Sequence, residues 1–305
     1  METRKIGSLA VSVVGLGCNN FGMRIDEKRS GEVIGAALDA GVNFFDTADM
    51  YANGKSEELV GRFLAGRRHQ VFIATKFGND MAGQGRGARP EYVRVALDAS
   101  LKRLNTDYVD LYQQHLPDPE VPIAETLGAL DDLVKAGKVR EIGCSNFSVP
   151  QLRESEDASA AQQGSVPFVT VQNEYSLLHR EPEDGVLAEC ERLGLGFLPF
   201  FPLASGLLTG KYRKGQPIPQ GTRIAKFERY AKLVTADNLD KVEALITFAG
   251  SRGRTLLELA FSWLLAHPVV ASVIAGATSA DQIRSNAAAA EWRLAPHDLE
   301  EIDLL

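Results

Sequence analysis

Polar side chains that could take part in acid–base chemistry recur along this chain where short apolar segments end. They belong to Asp46, Lys76, His115, the pair Ser145-Asn146 and the pair Gln172-Asn173, with Tyr51 shortly after the first of them. A strand that reaches water often ends in a polar residue, so each of them alone has a purely structural explanation. The whole set, with an aspartate, a tyrosine, a lysine and a histidine, favours convergence on one cavity.

Four of these residues suit the protonation of a carbonyl oxygen. A free tyrosine has a pKa of about 10 and is a poor proton donor at neutral pH unless its phenolate is stabilised. The ammonium group of Lys76 can stabilise the phenolate of Tyr51, and Asp46 can keep that ammonium charged and oriented. His115 can donate a hydrogen bond to the same carbonyl oxygen. None of these side chains carries a hydride, so a cofactor must supply it.

Strand-like and helix-like segments alternate along almost the whole chain, after an N-terminal hairpin with Gly7-Ser8 at its turn. Eight strands are predicted after the hairpin, near residues 15, 44, 73, 111, 142, 170, 198 and 273. Strands separated by helices run parallel, and eight of them predict an α/β fold, a (β/α)8 TIM barrel with an N-terminal β-hairpin. A doubly wound open sheet is the alternative. In a barrel, the carboxyl ends of the strands form the active site.

Helices are predicted between these strands, over residues 28–40, 57–64, 90–104, 122–136, 183–193, 237–250 and 255–266. Two more begin at Ser148 and Ser279, and Thr255 with Glu258 has the spacing of a capping box. Residues 155–166 are small and polar, which predicts a surface loop. No linker rich in Gly, Pro or Ser divides the chain, so residues 1–305 are expected to form a single barrel domain.

Several motifs, in their order along the chain, resemble the aldo-keto reductase superfamily. They are GVNFFDTADMYANGKSEELVGRFL (41–64), FIATKFG (72–78), VDLYQQH (109–115), GKVREIGCSNF (137–147), VQNEYSLLHR (171–180) and VIAGATSADQIRSN (273–286). The resemblance covers nearly the whole chain and implies an NADP-dependent oxidoreductase that reduces aldehydes or ketones to alcohols. It also implies that Tyr51 is the general acid, that Lys76 and Asp46 tune it, and that His115 orients the carbonyl group.

The resemblance further implies how the nicotinamide cofactor is held. Ser145, Asn146 and Gln172 would bind the nicotinamide carboxamide. Phe200 would stack on the nicotinamide ring, at a position where the family often has tyrosine, because stacking needs only the aromatic face. The segment that wraps the pyrophosphate would include Leu203, Ser205, Gly206 and Lys211.

The resemblance is less specific for the residues that would bind the adenosine end of the cofactor. Thr278, Gln282 and Asn286 match positions near the adenosine, although Gln282 could instead be a capping partner of Ser279. The loop after the last strand lacks the Arg or Lys that often meets a 2′-phosphate, but the start of the following helix could bind phosphate through its amides. NADPH is the expected cofactor because members of the family commonly use it, and NADH is the alternative.

The substrate pocket is predicted to include Phe21, Met50 and Phe77 with part of the loop over residues 206–230. These apolar and aromatic side chains favour aromatic or medium-length aliphatic carbonyl substrates. An alternative function is a regulatory or redox-sensing subunit that holds the cofactor with slow turnover, as some members of the superfamily do.

Composition and charge exclude several other classes of protein. The net charge is −7 with no basic run, which argues against a nucleic-acid partner. The cysteines Cys18, Cys144 and Cys190 are too far apart for a disulfide framework or zinc motif, and no metal is expected. A signal peptide and a membrane-spanning apolar run are both missing, so a cytoplasmic location is expected, with no membrane partner. The glycines at 15 and 17 lack the spacing of a Rossmann motif.

Overall fold

The N-terminal hairpin closes one end of a barrel in the computed structural model, which describes residues 1–81, 83, 85–161 and 165–305. β1 (Thr3–Ile6) and β2 (Leu9–Ser12) pair antiparallel around the predicted turn. Gly7 has a φ of 51°, a left-handed conformation that glycine adopts without the steric cost of a Cβ. The apolar side chains of the hairpin pack with those of the strands, in a cluster of Ile6, Leu9, Val11, Phe44, Ala74, Leu111, Leu198, Ala271 and Ile274.

Eight parallel strands form the barrel and follow one another around it in chain order. They are β3 (Val14–Gly17), β4 (Phe44–Asp46), β5 (Phe72–Phe77), β6 (Val109–Gln114), β7 (Val139–Ser145), β8 (Thr170–Gln172), β9 (Gly196–Phe197) and β10 (Val273–Gly276). β10 pairs with β3, and the backbone of Phe197 in β9 is hydrogen-bonded to Val269 and Ala271 just before β10. The sheet therefore closes on itself, so the prediction of a (β/α)8 barrel is confirmed and the open sheet is excluded.

The helices of the described residues are α1 (Glu27–Asp39), α2 (Lys55–Phe63), α3 (Pro90–Leu104), α4 (Ile123–Lys135), α5 (Val149–Ala161), α6 (Val186–Leu193), α7 (Arg223–Lys226), α8 (Glu228–Ala231), α9 (Ala236–Ser251), α10 (Leu256–Leu265), α11 (Ala280–Ala289) and α12 (Pro296–Asp303). α1 buries Val33, Ile34 and Ala37 on one face. α10 begins with the predicted capping box, in which Thr255 and Glu258 each satisfy the other's backbone N–H. Within the described ranges, no helix combines the length and apolar character needed to cross a bilayer.

Residues 155–161, the first part of the predicted surface loop over residues 155–166, are helical instead. α5 continues to Ala161, with Ser155 and Ser159 buried on its inner face. No glycine or proline interrupts residues 151–161, and small side chains allow the helix to approach its neighbours, so helical hydrogen bonding continues. Residues 162–164, which belong to the same predicted loop, lie outside the described residues.

Two other helices have boundaries that differ from the predicted ones, and a glycine lies at each of these boundaries. The helix predicted over residues 183–193 is divided at Gly185, whose φ is 138°, into a 3-10 helix (Glu181–Asp184) and α6. α2 begins at Lys55, earlier than predicted, directly after Gly54 with a φ of 87°. Both glycines adopt positive φ values that are costly for other residues.

The loop after β9 contains more local structure than the sequence indicates. A short 3-10 helix (Ala204–Thr209) follows the strand, and α7 and α8 come after it. This loop lies along one side of the cavity described next.

Candidate active site

A cavity of about 1080 Å³ opens at the carboxyl ends of the barrel strands. Loops after most of the strands form its walls, as is usual for the active sites of barrel enzymes. Many residues predicted from the sequence line it, namely Asp46, Met50, Tyr51, His115, Ser145, Asn146, Gln172, Phe200, Leu203, Ser205, Gly206, Lys211, Thr278, Gln282 and Asn286. The cavity is therefore the candidate active site.

Lys76 and Asp46 form a buried ion pair beneath this cavity. Lys76 is fully buried, and its Nζ donates to Asp46 Oδ2 at 2.7 Å and to the Thr47 carbonyl at 2.8 Å. Burial by itself lowers the pKa of Lys76, but the Asp46 carboxylate and the Tyr51 phenol raise it above its ordinary value. The lysine therefore stays charged at neutral pH, because an opposite charge and hydrogen bonds favour its protonated form.

The phenol of Tyr51 lies against this ion pair. Lys76 Nζ is 5.3 Å from the centre of the Tyr51 ring. Burial raises the pKa of Tyr51 above its ordinary value, and the Lys76 ammonium opposes the rise through its charge and a hydrogen bond. The phenol is therefore protonated at neutral pH and has a cation next to it that can stabilise the phenolate once the proton leaves.

The imidazole of His115 faces Tyr51 across the cavity. The two rings meet edge to face with centres 5.9 Å apart. Burial, assisted by the positive charge of Lys76, lowers the pKa of His115 to about 3. His115 Nδ1 is buried and has no hydrogen-bond partner among the described residues. The ring is therefore neutral in the physiological range, and Nε2 is the nitrogen left to meet a ligand in the cavity.

A chain of hydrogen bonds links the predicted nicotinamide site to the ion pair. Asn146 Nδ2 donates to Ser145 Oγ at 3.0 Å, and Ser145 Oγ donates to the Gln172 carbonyl at 2.7 Å. Gln172 Nε2 in turn donates to Asp46 Oδ1 at 3.0 Å. These amide and hydroxyl groups are fixed in place before any ligand arrives, which suits them to hold a carboxamide.

At the other end of the cavity, the side chain of Gln282 caps the first turn of α11. Gln282 Oε1 accepts from the backbone N–H of Thr278 at 2.8 Å and from its hydroxyl at 3.0 Å, and Ser279 Oγ accepts from Gln282 N at 3.3 Å. Gln282 also lines the cavity. Capping and ligand binding are compatible here because the cap orients a polar side chain at the cavity wall.

Two of the predicted substrate residues do not line the cavity. Phe21 and Phe77 are fully buried in the main apolar core, whereas Met50 lies in the wall. Side chains alternate between the two faces of a strand, so Phe77 points away from the side that carries Lys76, and its ring packs on Tyr112 with centres 4.7 Å apart. The sequence shows that these phenylalanines are apolar but not which way they face.

A cluster of three cations lies in the cavity wall, and two of them, Arg24 and Arg223, were missed from the sequence, whereas Lys211 was predicted. Arg24 Nη1 and Arg223 Nη2 donate to the same oxygen, Asn20 Oδ1, at 3.3 and 3.0 Å. Burial lowers the pKa of Arg24, Arg223 and Lys211, and Lys211 is lowered further by the two arginines. Among the described residues, none of the three forms an ion pair with a carboxylate in the cavity.

Two aromatic side chains beside this cluster pack against one of its arginines. The Arg223 guanidinium lies 5.7 Å from the centre of the Phe201 ring and 5.4 Å from that of Tyr230. Arg24 lies in a turn after β3 and Arg223 begins α7, about 200 residues later. No local sequence pattern therefore predicts that they converge. The only sequence indication was the excess of basic residues over residues 211–232.

The hydrogen-bonding groups and cations of the cavity wall fit a nicotinamide cofactor. The described residues offer no metal site. Amide and hydroxyl groups lie next to Tyr51, while unpaired cations lie farther along the wall, which matches a ligand with an uncharged head and phosphate groups. Within the described part of the chain, no group of His, Cys, Asp and Glu side chains could hold a metal ion.

Comparison with known proteins gives consistent matches. The model of the aldo/keto reductase family matches residues 13–305. A probable voltage-gated potassium channel subunit beta of Oryza sativa subsp. japonica is 38% identical over 298 residues, covering 94% of this chain and 90% of the relative. The aldo-keto reductase yakc of Schizosaccharomyces pombe, whose name includes NADP(+), is 35% identical over 314 residues, covering 99% of this chain and 90% of the relative. The solved holo form of an aldo-keto reductase from Bacillus halodurans has a TM-score of 0.82 and 31% identity, covering 100% of this chain and 96% of that one.

Proposed function

Since the chain belongs to the aldo/keto reductase family, whose members are oxidoreductases that act on carbonyl groups with a nicotinamide cofactor, we propose that it reduces aldehydes or ketones to alcohols with NADPH. The observation that carries this proposal is the meeting of Tyr51, the Lys76–Asp46 ion pair and neutral His115 in one cavity.

Tyr51 is the proposed general acid. When bound, the nicotinamide supplies the hydride to the carbonyl carbon. Tyr51 gives its phenolic proton to the carbonyl oxygen, and the Lys76 ammonium stabilises the phenolate that remains. Asp46 and the Thr47 carbonyl hold the ammonium in place, so the stabilising charge is oriented before the proton moves.

His115 is proposed to orient and polarise the carbonyl group. Its imidazole is neutral, and a neutral ring with its proton on Nε2 donates a hydrogen bond without carrying a charge. Such a donor stabilises the negative charge that develops on the oxygen.

The remaining cavity residues are proposed to hold the cofactor. Ser145, Asn146 and Gln172 bind the carboxamide, and Phe200 stacks on the nicotinamide ring. The segment with Leu203, Ser205 and Gly206 wraps the pyrophosphate, and the cations Lys211, Arg24 and Arg223 meet the phosphate groups. Thr278, Gln282 and Asn286 contact the adenosine. The uncompensated cations favour NADPH over NADH, as does the name of the S. pombe relative. The single domain over residues 1–305 and the cytoplasmic location stay predictions.

Replacement of the phenol tests the proposal. Tyr51→Phe keeps the ring but removes the transferable proton, so kcat for carbonyl reduction is expected to fall by about 10²–10⁴-fold. The dissociation constant for NADPH is expected to stay near that of the wild type. Steady-state oxidation of NADPH with a panel of aldehydes and fluorescence titration of the cofactor measure the two quantities. Normal reduction by Tyr51→Phe would show that another group donates the proton.

The similarity to a probable channel subunit gives a reason to test a second candidate function. A subunit that holds the cofactor as a redox sensor would bind NADPH tightly and turn over slowly. The same aldehyde panel separates the two functions, because an enzyme gives sustained turnover and a sensor gives one slow oxidation of bound cofactor. The intact set around Tyr51 supports the enzyme.

A further inference from the structure

A second buried carboxyl group lies behind the segment that carries Tyr51. Asp49 precedes Tyr51 by two residues on the chain and is almost fully buried. Its charge interacts with Glu57 of α2 and Arg103 of α3, which places the carboxyl in the layer between the barrel and the helices. The Lys76–Asp46 pair lies on the cavity side of the same segment.

The backbone of this segment is tied to β5 at Asp49. Thr47 N donates to the Ala74 carbonyl at 2.9 Å and Asp49 N to the Lys76 carbonyl at 3.2 Å, which continues the pairing of β4 with β5. Asp49 Oδ1 accepts from Met50 N at 2.6 Å. The carboxyl therefore holds the amide of the Asp49–Met50 peptide, one peptide before the one that joins Met50 to Tyr51.

Glu57 and Arg103 hold the same segment from its other end. Glu57 is fully buried and accepts from Thr75 Oγ1 at 2.5 Å and Arg103 Nε at 2.6 Å. A Cβ on Gly54 would lie 2.6 Å from Arg103 Cδ, so the arginine packs on the turn over residues 52–54, where every φ is positive. The Tyr51 segment is thus held before and after the phenol.

Among the described residues, no lysine or arginine forms an ion pair with Asp49. Asp49 Oδ2 is buried and without a hydrogen-bond partner among the described residues, and Arg103 is engaged by Glu57. Burial and the Glu57 charge raise the pKa of Asp49 to about 7, against smaller opposing effects from Met50 N–H, Arg103 and Lys76. Tyr92 and Tyr112 face it from α3 and β6. A buried polar atom without a partner lowers stability, so its presence beside the site indicates a use.

We propose that Asp49 is a positioning residue whose carboxyl fixes the backbone that leads into Met50 and Tyr51 for proton transfer. The proposal rests on the proposed role of Tyr51 as general acid. Asp49 acts through the backbone and touches neither the carbonyl substrate nor the cofactor. Neutral Asp49 fits the layer, whereas ionised Asp49 adds a second negative charge beside Glu57 and pushes the segment away from its place.

Two substitutions separate positioning from bulk stability. Asp49→Ala removes the acceptor for Met50 N, and its kcat is expected to fall by about 10–100-fold because the phenol is misplaced, with the dissociation constant for NADPH unchanged. Asp49→Asn keeps an oxygen acceptor and is expected to restore kcat to near the wild-type value. The kcat of the wild type is expected to decline as the pH rises through about 7, and Asp49→Asn, which cannot ionise, is expected to lack this step.

The control is Asp110→Asn, which changes another buried carboxylate. Asp110 pairs with Arg68 and Arg140 and is absent from the cavity wall, so its replacement is expected to lower the melting temperature without changing kcat. Amide hydrogen exchange gives a measurement independent of activity. Asp49→Ala is expected to speed exchange in peptides covering residues 47–56, and Asp110→Asn is not.

Different outcomes overturn the two proposals. Unchanged kcat or unchanged exchange over residues 47–56 in Asp49→Ala, or the same pH step in the wild type and Asp49→Asn, would overturn the positioning role. Absence of NADPH-dependent turnover in the wild type would overturn the proposed function, and the exchange measurement would still decide whether Asp49 holds the segment.

Discussion

The contribution of the buried Lys76–Asp46 ion pair to stability does not explain its presence, whereas its chemical use does. Removal of two charges from water costs several kcal/mol per ion, and the attraction between them offsets this only with very good geometry and further hydrogen bonds. Lys76 meets that condition through Asp46, the Thr47 carbonyl and Tyr51. An apolar pair of similar volume is often at least as stable, so the pair is best explained by the phenolate that it can stabilise.

His115 is expected to act as a neutral hydrogen-bond donor over the whole working pH range. Its pKa is lowered to about 3, so the imidazole does not gain a proton as the pH falls from 8 to 5. His115→Ala is expected to lower kcat/KM for carbonyl substrates by about 10²–10³-fold. The pH profile of kcat/KM in the wild type is expected to show no step near the ordinary histidine pKa of about 6.5.

Leu116→Ala is the matched control for His115, because Leu116 is the exposed neighbour and does not line the cavity. Its kcat/KM should equal that of the wild type. A step near pH 6.5 in the wild type that disappears in His115→Ala would mean that the imidazole titrates, contrary to its burial beside Lys76.

At the scale of elements, the close contact of α2 with α3 sets the layer behind the site. A Cβ on Gly61 of α2 would lie only 2.3 Å from the Leu104 carbonyl oxygen at the end of α3. Glu57 lies one helical turn before Gly61, and Arg103 directly precedes Leu104, so their ion pair joins the two helices beside this contact. Glycine at 61 therefore lets the helices approach closely enough for that ion pair to form.

Gly61→Ala is expected to destabilise the protein, because the new methyl group meets a backbone carbonyl that cannot rotate away. The cost of such overpacking is about 1–3 kcal/mol, which lowers the melting temperature by several degrees. Thermal unfolding followed by circular dichroism measures the change.

Gly35→Ala on α1 is the control for this prediction. A Cβ at Gly35 meets nothing within 4 Å, so alanine is expected to stabilise the helix by about 1 kcal/mol. Equal melting temperatures for the two alanine variants would show that the α2–α3 contact relaxes easily.

At the scale of the whole molecule, positive charge is gathered in the cavity of a protein whose net charge is −7. Arg24, Lys211 and Arg223 line the cavity without carboxylate partners there, and each of their pKa values is lowered, first of all by burial. Desolvated cations close together repel one another, so the apo cavity attracts an anion.

Affinity for NADPH is expected to fall more steeply with ionic strength than affinity for NADH. The 2′-phosphate adds negative charge, and salt screens its attraction to the cavity. Fluorescence titrations between about 0.05 and 0.5 M NaCl measure both dissociation constants. Arg223→Gln should weaken the binding of NADPH and flatten its salt dependence.

Lys226→Gln removes one charge close by in the sequence but outside the cavity wall, so it should leave both slopes unchanged. Equal salt slopes for NADPH and NADH in the wild type would mean that the cavity cations do not meet the 2′-phosphate.

Features that depend on local order could be predicted from the sequence alone. Alternating strands and helices, the hairpin turn at Gly7 and the cap of α10 at Thr255 all follow from periodicity and from short-range hydrogen bonds. The polar residues at the strand ends also follow from the chain, because a parallel barrel puts all those ends on one side. This is why Tyr51 and Lys76 could be predicted to meet.

Long-range contacts set which side chains face the cavity and which distant segments converge there. Phe21 and Phe77 turn into the core, while Arg24 and Arg223 meet on Asn20. The direction of a side chain depends on the register of its strand and on the backbone angles of loops, and convergence of loops depends on closure of the barrel. Neither leaves a periodic pattern in the sequence, since both are set by contacts between residues far apart along the chain.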